Sequence, residues 1–341
     1  MKATYRKERL DRGIKARCDD IFALSSYREA LYLLLPRFLP VAGLLSFPLL
    51  KGVVGLYWEK VILISCVIAL LTLSWDLLAS AGMISLGQAL FFGAGAYLAG
   101  LLNSEFGWAP LFTIPLATFG GAIFCTGLLS SVLRLRGVYF SIVTLVLPLM
   151  FMRIIETTKL LGGTEGISAL SPLPNIWVEL YLAIVVLLIC LFGFRRLINS
   201  DYGLVLRGIR DNDRAVMARG INIYWYKAQA LFIASAVGAF TGAYMTHYYQ
   251  FVGMPAFALD YSILPLTCAV VGGVGTFAGS TLGAFILVPL SEALRAFGTL
   301  RVVFYSAIMV IFVVGLPEGI FHYIQRKYHQ FERLVPVEVK R

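Results

Sequence analysis

Ten long apolar stretches separate the charged residues of this chain, and most are long enough to cross the hydrocarbon core of a bilayer. Backbone groups in lipid must satisfy their hydrogen bonds within the segment, so stretches of about 20 apolar residues form helices there. The ten stretches are 31–50, 61–80, 84–102, 109–132, 138–158, 177–194, 228–248, 261–274, 277–297 and 301–317. The stretch 261–274 is short and ends in glycines, which predicts a broken or re-entrant helix. The sequence therefore predicts an all-α, polytopic integral membrane protein with about ten transmembrane helices.

The composition agrees with a membrane protein and argues against several other classes. Hydrophobic residues make up 59% of the 341 positions and charged residues 14%, compared with about 25% charged residues in soluble domains. The net charge of +10 comes from basic tails and loops, so it predicts no nucleic-acid partner. The five cysteines lack metal-ligand spacing, and we expect no disulfide, no metal and no bound cofactor.

Basic residues are distributed unevenly between the loops, and this orients the predicted helices. Lysine and arginine are concentrated in both tails and in the loop 195–227, whereas the loops 103–109 and 249–260 each contain an acidic residue and no base. Because basic loops stay in the cytoplasm, we expect both termini and 195–227 inside the cell and the two acidic loops outside. The expected divisions are a cytoplasmic N-terminal tail at 1–30, a transmembrane domain at 31–317 and a cytoplasmic C-terminal tail at 318–341.

The loop 195–227 carries a helical pattern of its own. Its apolar residues recur at the spacing of an amphipathic helix, and they are Tyr202, Val205, Leu206 and Ile209. Asp211 or Asn212 can then cap a second short helix that ends at Gly220. Two short helices with one apolar face fit a groove on a soluble partner. The alternative is a helix that lies on the lipid surface.

Small residues recur every four positions in two later stretches. The first series is Gly275, Gly279 and Gly283, and the second is Ala234, Gly238 and Gly242. This spacing places small residues on one helix face, where two backbones can approach closely. Internal helix packing and contact with a second membrane subunit both explain the pattern.

Two polar residues within the apolar stretches are candidates for a solute pathway. A carboxylate in the bilayer costs about 2.5–3.5 kcal/mol on insertion scales, which makes Asp76 a functional candidate. The neighbouring Trp75 indicates a membrane interface, so an interfacial packing role is the alternative. Gln88 opens the third stretch and either lines a pathway or bonds to another helix.

The sequence offers little for catalysis. It has no Gly-Lys dipeptide, so the phosphate loop G-x-x-x-x-G-K-[ST] is excluded and any ATP must bind another chain. No paired acid and base or nucleophile stands out, which predicts no catalytic residue and argues against a membrane enzyme. Arg153 and Glu156 stand three apart and are expected to form a local ion pair.

Five segments, in order and at proper spacing, resemble the permeases of branched-chain amino-acid ABC importers of the LivM type. They are ISLGQALFFGAGAY at 84–97, RGVYFSIVTL at 136–145, LGGTEGI at 161–167, IRDND at 209–213 with ARGIN at 218–222, and GGVGTFAG at 272–279. The resemblance covers roughly residues 60–320. It departs at Asp76, where the family often has Asn, and at Ser80, where it usually has Gly.

The resemblance implies a heteromeric importer in a bacterial or archaeal plasma membrane. Such a permease works with a second related permease, two cytoplasmic ATP-binding subunits and an extracytoplasmic solute-binding protein. The residues that the resemblance places in the ATPase-coupling region are Arg210, Asp211, Asp213, Ala218, Gly220 and Asn222. The implied cargo is a branched-chain amino acid or a related small polar solute, with urea or amides as an alternative.

An autonomous secondary transporter or channel is the competing class. Such a protein should contain ionisable residues within its spans for ion coupling. Asp76 is the clear candidate of that kind, so the importer permease is the preferred hypothesis.

Overall fold

A computed structural model describes residues 5–9, 38–50, 55–135, 137–294, 298, 300–315, 318–329 and 332–336. Its helices are α1 (Phe38–Leu49), α2 (Leu56–Ser80), α3 (Gln88–Phe106), α4 (Pro110–Ser130), α5 (Val138–Thr158), α6 (Ile176–Ile198), α7 (Asp201–Ala218), α8 (Ile223–Tyr249), α9 (Asp260–Gly272), α10 (Ala278–Ala293), α11 (Leu300–Gly315) and α12 (Gly319–His329). Short 3-10 turns lie at Phe47–Leu50, Ser131–Arg134, Leu160–Gly162 and Met254–Phe257.

The predicted all-α membrane fold is confirmed. Each of the ten apolar stretches contains a helix, and six helical segments of the described chain are long and apolar enough to cross a membrane. The number of spans stays a prediction, because α1 and α10 are shorter. One of the six segments, Met254–Gly272, includes α9 together with the 3-10 turn before it. The 13 residues of α9 alone extend about 20 Å at 1.5 Å per residue, less than the hydrocarbon core of about 30 Å. The broken or re-entrant helix that the sequence predicts for 261–274 stays a prediction.

The core of the bundle is built around α2. This helix is buried along most of its length and contacts α6, α8, α9 and α10. Helices α4 and α5 instead expose large apolar side chains such as Leu111, Phe119 and Val146. In water such a surface would be an aggregation hazard, but in a bilayer it faces lipid tails of the same polarity.

Helices α3 and α8 pack with their backbones in close approach. A Cβ atom at Gly242 would overlap the carbonyl oxygen of Phe92, and one at Gly95 would overlap the carbonyl of Ala239. At Gly238 a Cβ would lie 2.5 Å from the Cβ of Phe91. The glycines predicted for helix packing in this stretch, Gly238 and Gly242, therefore lie at an internal contact.

The loops that the sequence assigns to one side meet at one end of the bundle. The 81–87 turn lies against α7, and the α9–α10 loop lies against the start of α12. At the opposite end, Ile167 pairs with Val252 in an isolated β-bridge. The grouping of the loops agrees with the charge pattern, while the identity of the cytoplasmic side stays a prediction.

The two ends of the chain add an element that the sequence did not predict. Strand β1 (Tyr5–Arg9) pairs antiparallel with strand β2 (Glu332–Pro336), with Lys7 opposite Leu334. The pairing brings the N-terminal and C-terminal segments together, as expected if both lie on the same side of the membrane. Of the predicted tails, 1–30 lies outside the described residues except for 5–9, whereas most of 318–341 is described.

Candidate functional site

The charged loop forms one kinked helix, α7. Asn212 interrupts it with extended backbone angles (φ −158°, ψ 97°), and its Oδ1 accepts a hydrogen bond from the Ala215 N–H at 3.2 Å. The prediction of two short helices with a cap at Asp211 or Asn212 therefore matches the structure. The kink separates a longer first segment from a final stretch of about one and a half turns.

A tight connection joins α7 to α8. Gly220 has a φ of +80° and donates a hydrogen bond from its N–H to the Met217 carbonyl at 2.9 Å, which is the predicted glycine exit of a helix. Asn222 then begins α8, because its Oδ1 accepts hydrogen bonds from the N–H groups of Tyr224 and Trp225. Two of the predicted coupling residues, Gly220 and Asn222, thus fix the angle between the helices, and Ala218 is the last residue of α7.

The apolar face of α7 does not point toward a partner. Leu206 and Ile209 are buried, and α7 packs against α2, α6 and α8 of its own chain. A Cβ at Gly203 would overlap the Ile198 carbonyl. The prediction that this stripe fits a partner's groove is therefore wrong, because the bundle itself covers the stripe. What remains exposed is a charged face that includes Arg207, Arg210, Asp211 and Arg214.

The tyrosine at the start of α7 strengthens the internal contact. The Tyr202 hydroxyl donates a hydrogen bond to the Tyr226 carbonyl at 3.3 Å, and the two rings lie 5.5 Å apart. Burial, with the neighbouring Tyr226, raises the pKa of Tyr202 to about 12. The hydroxyl therefore stays protonated and keeps donating throughout the physiological pH range.

A cavity of 420 Å³ separates part of α7 from the turns beneath it. The apolar part of its wall includes Met83, Leu133 and Phe140. The charged part consists of Arg210, Asp211, Asp213, Arg214 and Lys227. The cavity collects three of the predicted coupling residues around one opening, so the exposed face of α7 offers both charge and a recess.

Asp76 binds the loop between α9 and α10. Its side chain is fully buried, and its carboxylate accepts hydrogen bonds from the Gly275 N–H (2.6 Å), the Phe277 N–H (3.1 Å) and the Ser280 hydroxyl (2.7 Å). Two of these donors belong to the backbone that leads into α10. The carboxylate is therefore engaged in ordering this loop, which agrees with the packing alternative for Asp76.

Gly275 differs from its predicted position. It lies outside α10 in the loop, with a φ of +84°, so the three glycines at 275, 279 and 283 do not share one helix face. Gly279 and Gly283 do lie on α10, where a Cβ would overlap Thr276 or the Cys268 carbonyl respectively. These two positions form a close contact between α9 and α10 of the same chain.

Arg210 links α7 to this loop. A Cβ at Gly82 would lie 2.9 Å from the Arg210 Cα, and one at Gly275 would lie 4.0 Å from Arg210 Nη1. The guanidinium also lies within electrostatic reach of the Asp76 carboxylate. A displacement of α7 would therefore change the contacts of Arg210 with the turn after α2 and with the loop before α10.

Gln88 is the first residue of α3 and is fully buried. Its Oε1 lies 3.1 Å from the Ser74 hydroxyl, which is also 2.8 Å from the Ala234 carbonyl. Its Nε2 has no hydrogen-bond partner among the described residues. Gln88 therefore has one interhelical hydrogen bond and a buried NH₂ group without a hydrogen-bond partner among the described residues.

The segment around Gln88 is held by Trp75 and by two hydroxyl residues, Thr144 and Ser262, that sequence reasoning missed. The Leu86 N–H donates to Thr144 Oγ1 at 3.1 Å, and the Ala89 N–H donates to Ser262 Oγ at 3.0 Å. Trp75 Nε1–H donates to the Ser85 carbonyl at 2.7 Å. Hydroxyl residues inside apolar stretches were the available signal, since the unwound turn before α3 needs acceptors from neighbouring helices.

The opposite end of the bundle has a polar network of its own. His247 Nε2 lies 2.6 Å from the Thr113 hydroxyl, and Nδ1 lies 2.9 Å from the Ser171 carbonyl. The ion pair predicted between Arg153 and Glu156 is confirmed at 2.7 Å. Among the described residues no group of three His, Cys, Asp or Glu side chains could hold a metal ion.

Fold and site together define a polytopic helical membrane protein with a charged helical segment docked on one end of its bundle. Comparison with known proteins then identifies the family. The model of the branched-chain amino acid transport system / permease component family matches residues 57–313. The chain belongs to that family.

The curated relatives carry the LivM name. High-affinity branched-chain amino acid transport system permease proteins LivM from Salmonella typhimurium and Escherichia coli are each 27% identical over 271 residues, which is 70% of this chain and 64% of each relative. A probable LivM permease of Methanocaldococcus jannaschii is 29% identical over 137 residues, or 38% of this chain and 40% of the relative. The match thus spans less than two thirds of each relative's length. No solved structure matches.

Proposed function

We propose that this chain is the membrane-spanning permease subunit of an ATP-binding-cassette importer in a bacterial or archaeal plasma membrane. It pairs with a second related permease, two cytoplasmic ATP-binding subunits drive the pair, and an extracytoplasmic binding protein delivers the solute. The chain itself carries out no chemical reaction. Family membership supports this assignment, and the names of the curated relatives support transport of branched-chain amino acids.

The observation that carries the proposal is the placement of α7. Its apolar face is buried against α2, α6 and α8, while its charged face is exposed beside a 420 Å³ cavity. When a partner displaces a helix that is anchored in this way, the displacement is transmitted to the helices against which it packs. The exposed charges suit a partner that binds electrostatically.

The route of transmission starts at Arg210. Its backbone rests on the Gly82 turn after α2, and its guanidinium approaches the loop that Asp76 holds. Movement of the ATP-binding subunits would displace α7, and through Arg210 it would shift α2 and the α9–α10 pair together. Alternating access then follows from two arrangements of these helices.

The cargo is proposed to be a branched-chain amino acid or a related small polar solute, as the names of the relatives suggest. Urea and amides are the alternative cargo of the same scaffold. The competing hypothesis of a secondary transporter needs an ionisable group for ion coupling. Asp76 was the candidate, and its carboxylate is occupied by three donors from the α9–α10 loop, so nothing in the site favours that class.

The proposal is tested by uptake in proteoliposomes that contain this chain, the paired permease and the ATP-binding subunits, with the binding protein outside. Labelled leucine should accumulate only when hydrolysable ATP is enclosed, and urea should not compete. A nonhydrolysable ATP analogue is the control. Uptake driven by an ion gradient without the ATP-binding subunits would contradict the proposal.

A further inference from the structure

A second cavity, of 650 Å³, lies at the end of the bundle opposite α7. It is bounded by the N-terminal turns of α2 and α6 and by the C-terminal turns of α8 and α10. The residues of its wall that the argument uses are Tyr57, Glu59, Lys60, Glu179, Tyr248 and Glu292. Its volume falls within the range of about 300–1,000 Å³ that is usual for small-molecule sites.

The wall of this cavity is acidic. Three glutamates face it against one lysine, Lys60. Glu59 is the most informative of them, because its side chain is only 6% exposed and its Oε2 has no hydrogen-bond partner among the described residues. A buried carboxyl oxygen without a donor costs free energy, and that cost is offset when a ligand supplies the donor.

Helix dipoles explain part of this acidity but not all of it. Glu59 and Glu179 lie in the first turns of α2 and α6, where negative charge is favoured. Glu292 lies in the last turn of α10, where the dipole disfavours negative charge. Glu292 therefore adds to the cavity wall a negative charge that the helix dipole does not stabilise.

The aromatic residues of the cavity select the kind of cation. Tyr57, Tyr248 and Tyr249 line it, and Tyr248 lies within electrostatic reach of both Glu59 and Glu179. Aromatic rings together with carboxylates bind ammonium groups, through cation–π contacts and charge-assisted hydrogen bonds. A metal ion is the poorer candidate, because no three acidic side chains of the described chain are close enough to ligate one.

We propose that this cavity binds the ammonium group of a small amine solute, with Glu59 accepting its hydrogen bond and the tyrosines flanking it. The proposal rests on the proposed function for the identity of the solute, since an amino acid delivered to this end of the bundle carries such a group. The site would hold the solute at the mouth of the bundle before it passes between the helices.

The direct test measures ligand binding to the full chain in lipid nanodiscs, without any partner. Three ligands that share the isobutyl side chain of leucine separate the chemistry: leucine carries an ammonium and a carboxylate, 3-methylbutylamine carries only the ammonium, and 4-methylpentanoate carries only the carboxylate. Leucine and 3-methylbutylamine should bind, and 4-methylpentanoate should not. Binding of 4-methylpentanoate as tightly as the amine would overturn the proposal.

Variants that are expected to change ligand affinity in opposite directions distinguish a binding role from a structural role. Glu59→Gln should weaken binding of 3-methylbutylamine about tenfold or more, which corresponds to about 1.4 kcal/mol, and Glu292→Gln should act in the same direction. Lys60→Gln should tighten binding, because it removes the competing cation. Glu105→Gln, an exposed acid outside the cavity, is the matched control and should change nothing. Unchanged binding in both Glu59→Gln and Glu292→Gln would refute the site.

Further measurements separate this proposal from others. If no small amine binds but docking of the binding protein weakens in Glu59→Gln, the ammonium comes from a lysine of that protein and the solute site is refuted. If the complete importer takes up leucine while the chain alone binds no amine, the site fails and the proposed function stands. If amines bind but the importer moves no amino acid, the site stands and the proposed cargo fails.

Discussion

At the residue scale, the carboxylate of Asp76 concentrates three hydrogen bonds in a fully buried position. Its donors lie about 200 positions later in the chain, so this one side chain ties α2 to the beginning of α10. An aspartate suits the position because it only accepts hydrogen bonds when ionised, and all three neighbours donate.

Replacing Asp76 with alanine should therefore destabilise the protein rather than change its transport selectivity. Three buried donors would lose their acceptor, at about 1–3 kcal/mol each, and the thermal midpoint of the purified chain should fall by about 5 °C or more. The thermal midpoint of Asp76→Asn should lie between those of the wild type and Asp76→Ala. The amide oxygen of the asparagine still accepts a hydrogen bond, but its NH₂ group faces donors. Glu105→Gln serves as control. A normal midpoint in Asp76→Ala would contradict the anchoring role.

Gln88 presents the opposite situation, a buried donor without a partner. If Gln88 acts only in packing, an apolar residue of similar size should be tolerated or even stabilise the protein. We propose that its free Nε2 bonds to the passing solute, so Gln88→Met should keep the thermal midpoint while raising the KM for uptake several-fold. A lowered midpoint together with an unchanged KM would leave Gln88 with packing alone.

At the scale of elements, α7 illustrates how far periodicity predicts structure. The spacing of its apolar residues and the cap at Asn212 were accessible from the sequence, because both are local properties. The sequence could not show which surface covers the apolar stripe, because a groove on a partner and a groove in the same chain impose the same pattern of apolar residues. The charged face of α7 is the part that stays exposed.

The exit from α7 allows a sharp test of coupling. Gly220 has a left-handed φ of +80° and open space around it, so a substitution is resisted by the backbone alone, by about 1–2 kcal/mol. Gly220→Leu should leave the protein inserted but raise the number of ATP molecules hydrolysed per solute taken up. Gly220→Asn, which tolerates this conformation, should stay close to wild type. Equal coupling ratios in the two variants would argue against a fixed exit angle.

The α9–α10 contact can be tested with a matched pair of glycines. A Cβ at Gly283 would overlap the Cys268 carbonyl, whereas nothing lies within 4 Å of one at Gly127 in α4. Gly283→Ala should lower the yield and the thermal midpoint, because overpacking costs about 1–3 kcal/mol. Gly127→Ala should be neutral or stabilise the helix by up to about 1 kcal/mol. Comparable midpoints for both variants would remove the packing assignment of Gly283.

The three glycines of the α10 series show why spacing alone misplaced one of them. A four-residue repeat implies a shared face only if the segment is helical throughout, and Gly275 precedes the helix with a positive φ. The glycines at 272, 273 and 275 also permit a tight turn, and Gly275 lies in such a turn. The acceptor of its N–H, Asp76, could not be inferred from local sequence.

At the scale of the whole molecule, hydropathy predicted the helices and loop charge predicted which loops share an end. Both follow from properties that each segment possesses independently. The hydrogen bonds at Asp76, Ser74, Thr144 and Ser262 required the three-dimensional arrangement. Sequence therefore predicted the architecture of the bundle well and the internal contacts of the candidate site only in part.

The predicted sidedness of the loops can be tested on intact cells. In a cysteine-free background, single cysteines at positions 105 and 251 should react with a membrane-impermeant thiol reagent added outside, because both positions are exposed at the end opposite α7. A cysteine at position 212 should react only after the cells are opened. Labelling of position 212 in intact cells, with positions 105 and 251 protected, would invert the assignment.

The close approach of α3 and α8 constrains how the protein can move. Where Gly95 meets Ala239 and Gly242 meets Phe92, backbone touches backbone, with no side chain between them to change rotamer. A Cβ at Gly121 of α4 would likewise lie 2.7 Å from the Cβ of Ala239, which extends the contact to a third helix. We therefore expect these three helices to move as one rigid unit, so that any conformational change of the bundle displaces the other helices relative to them.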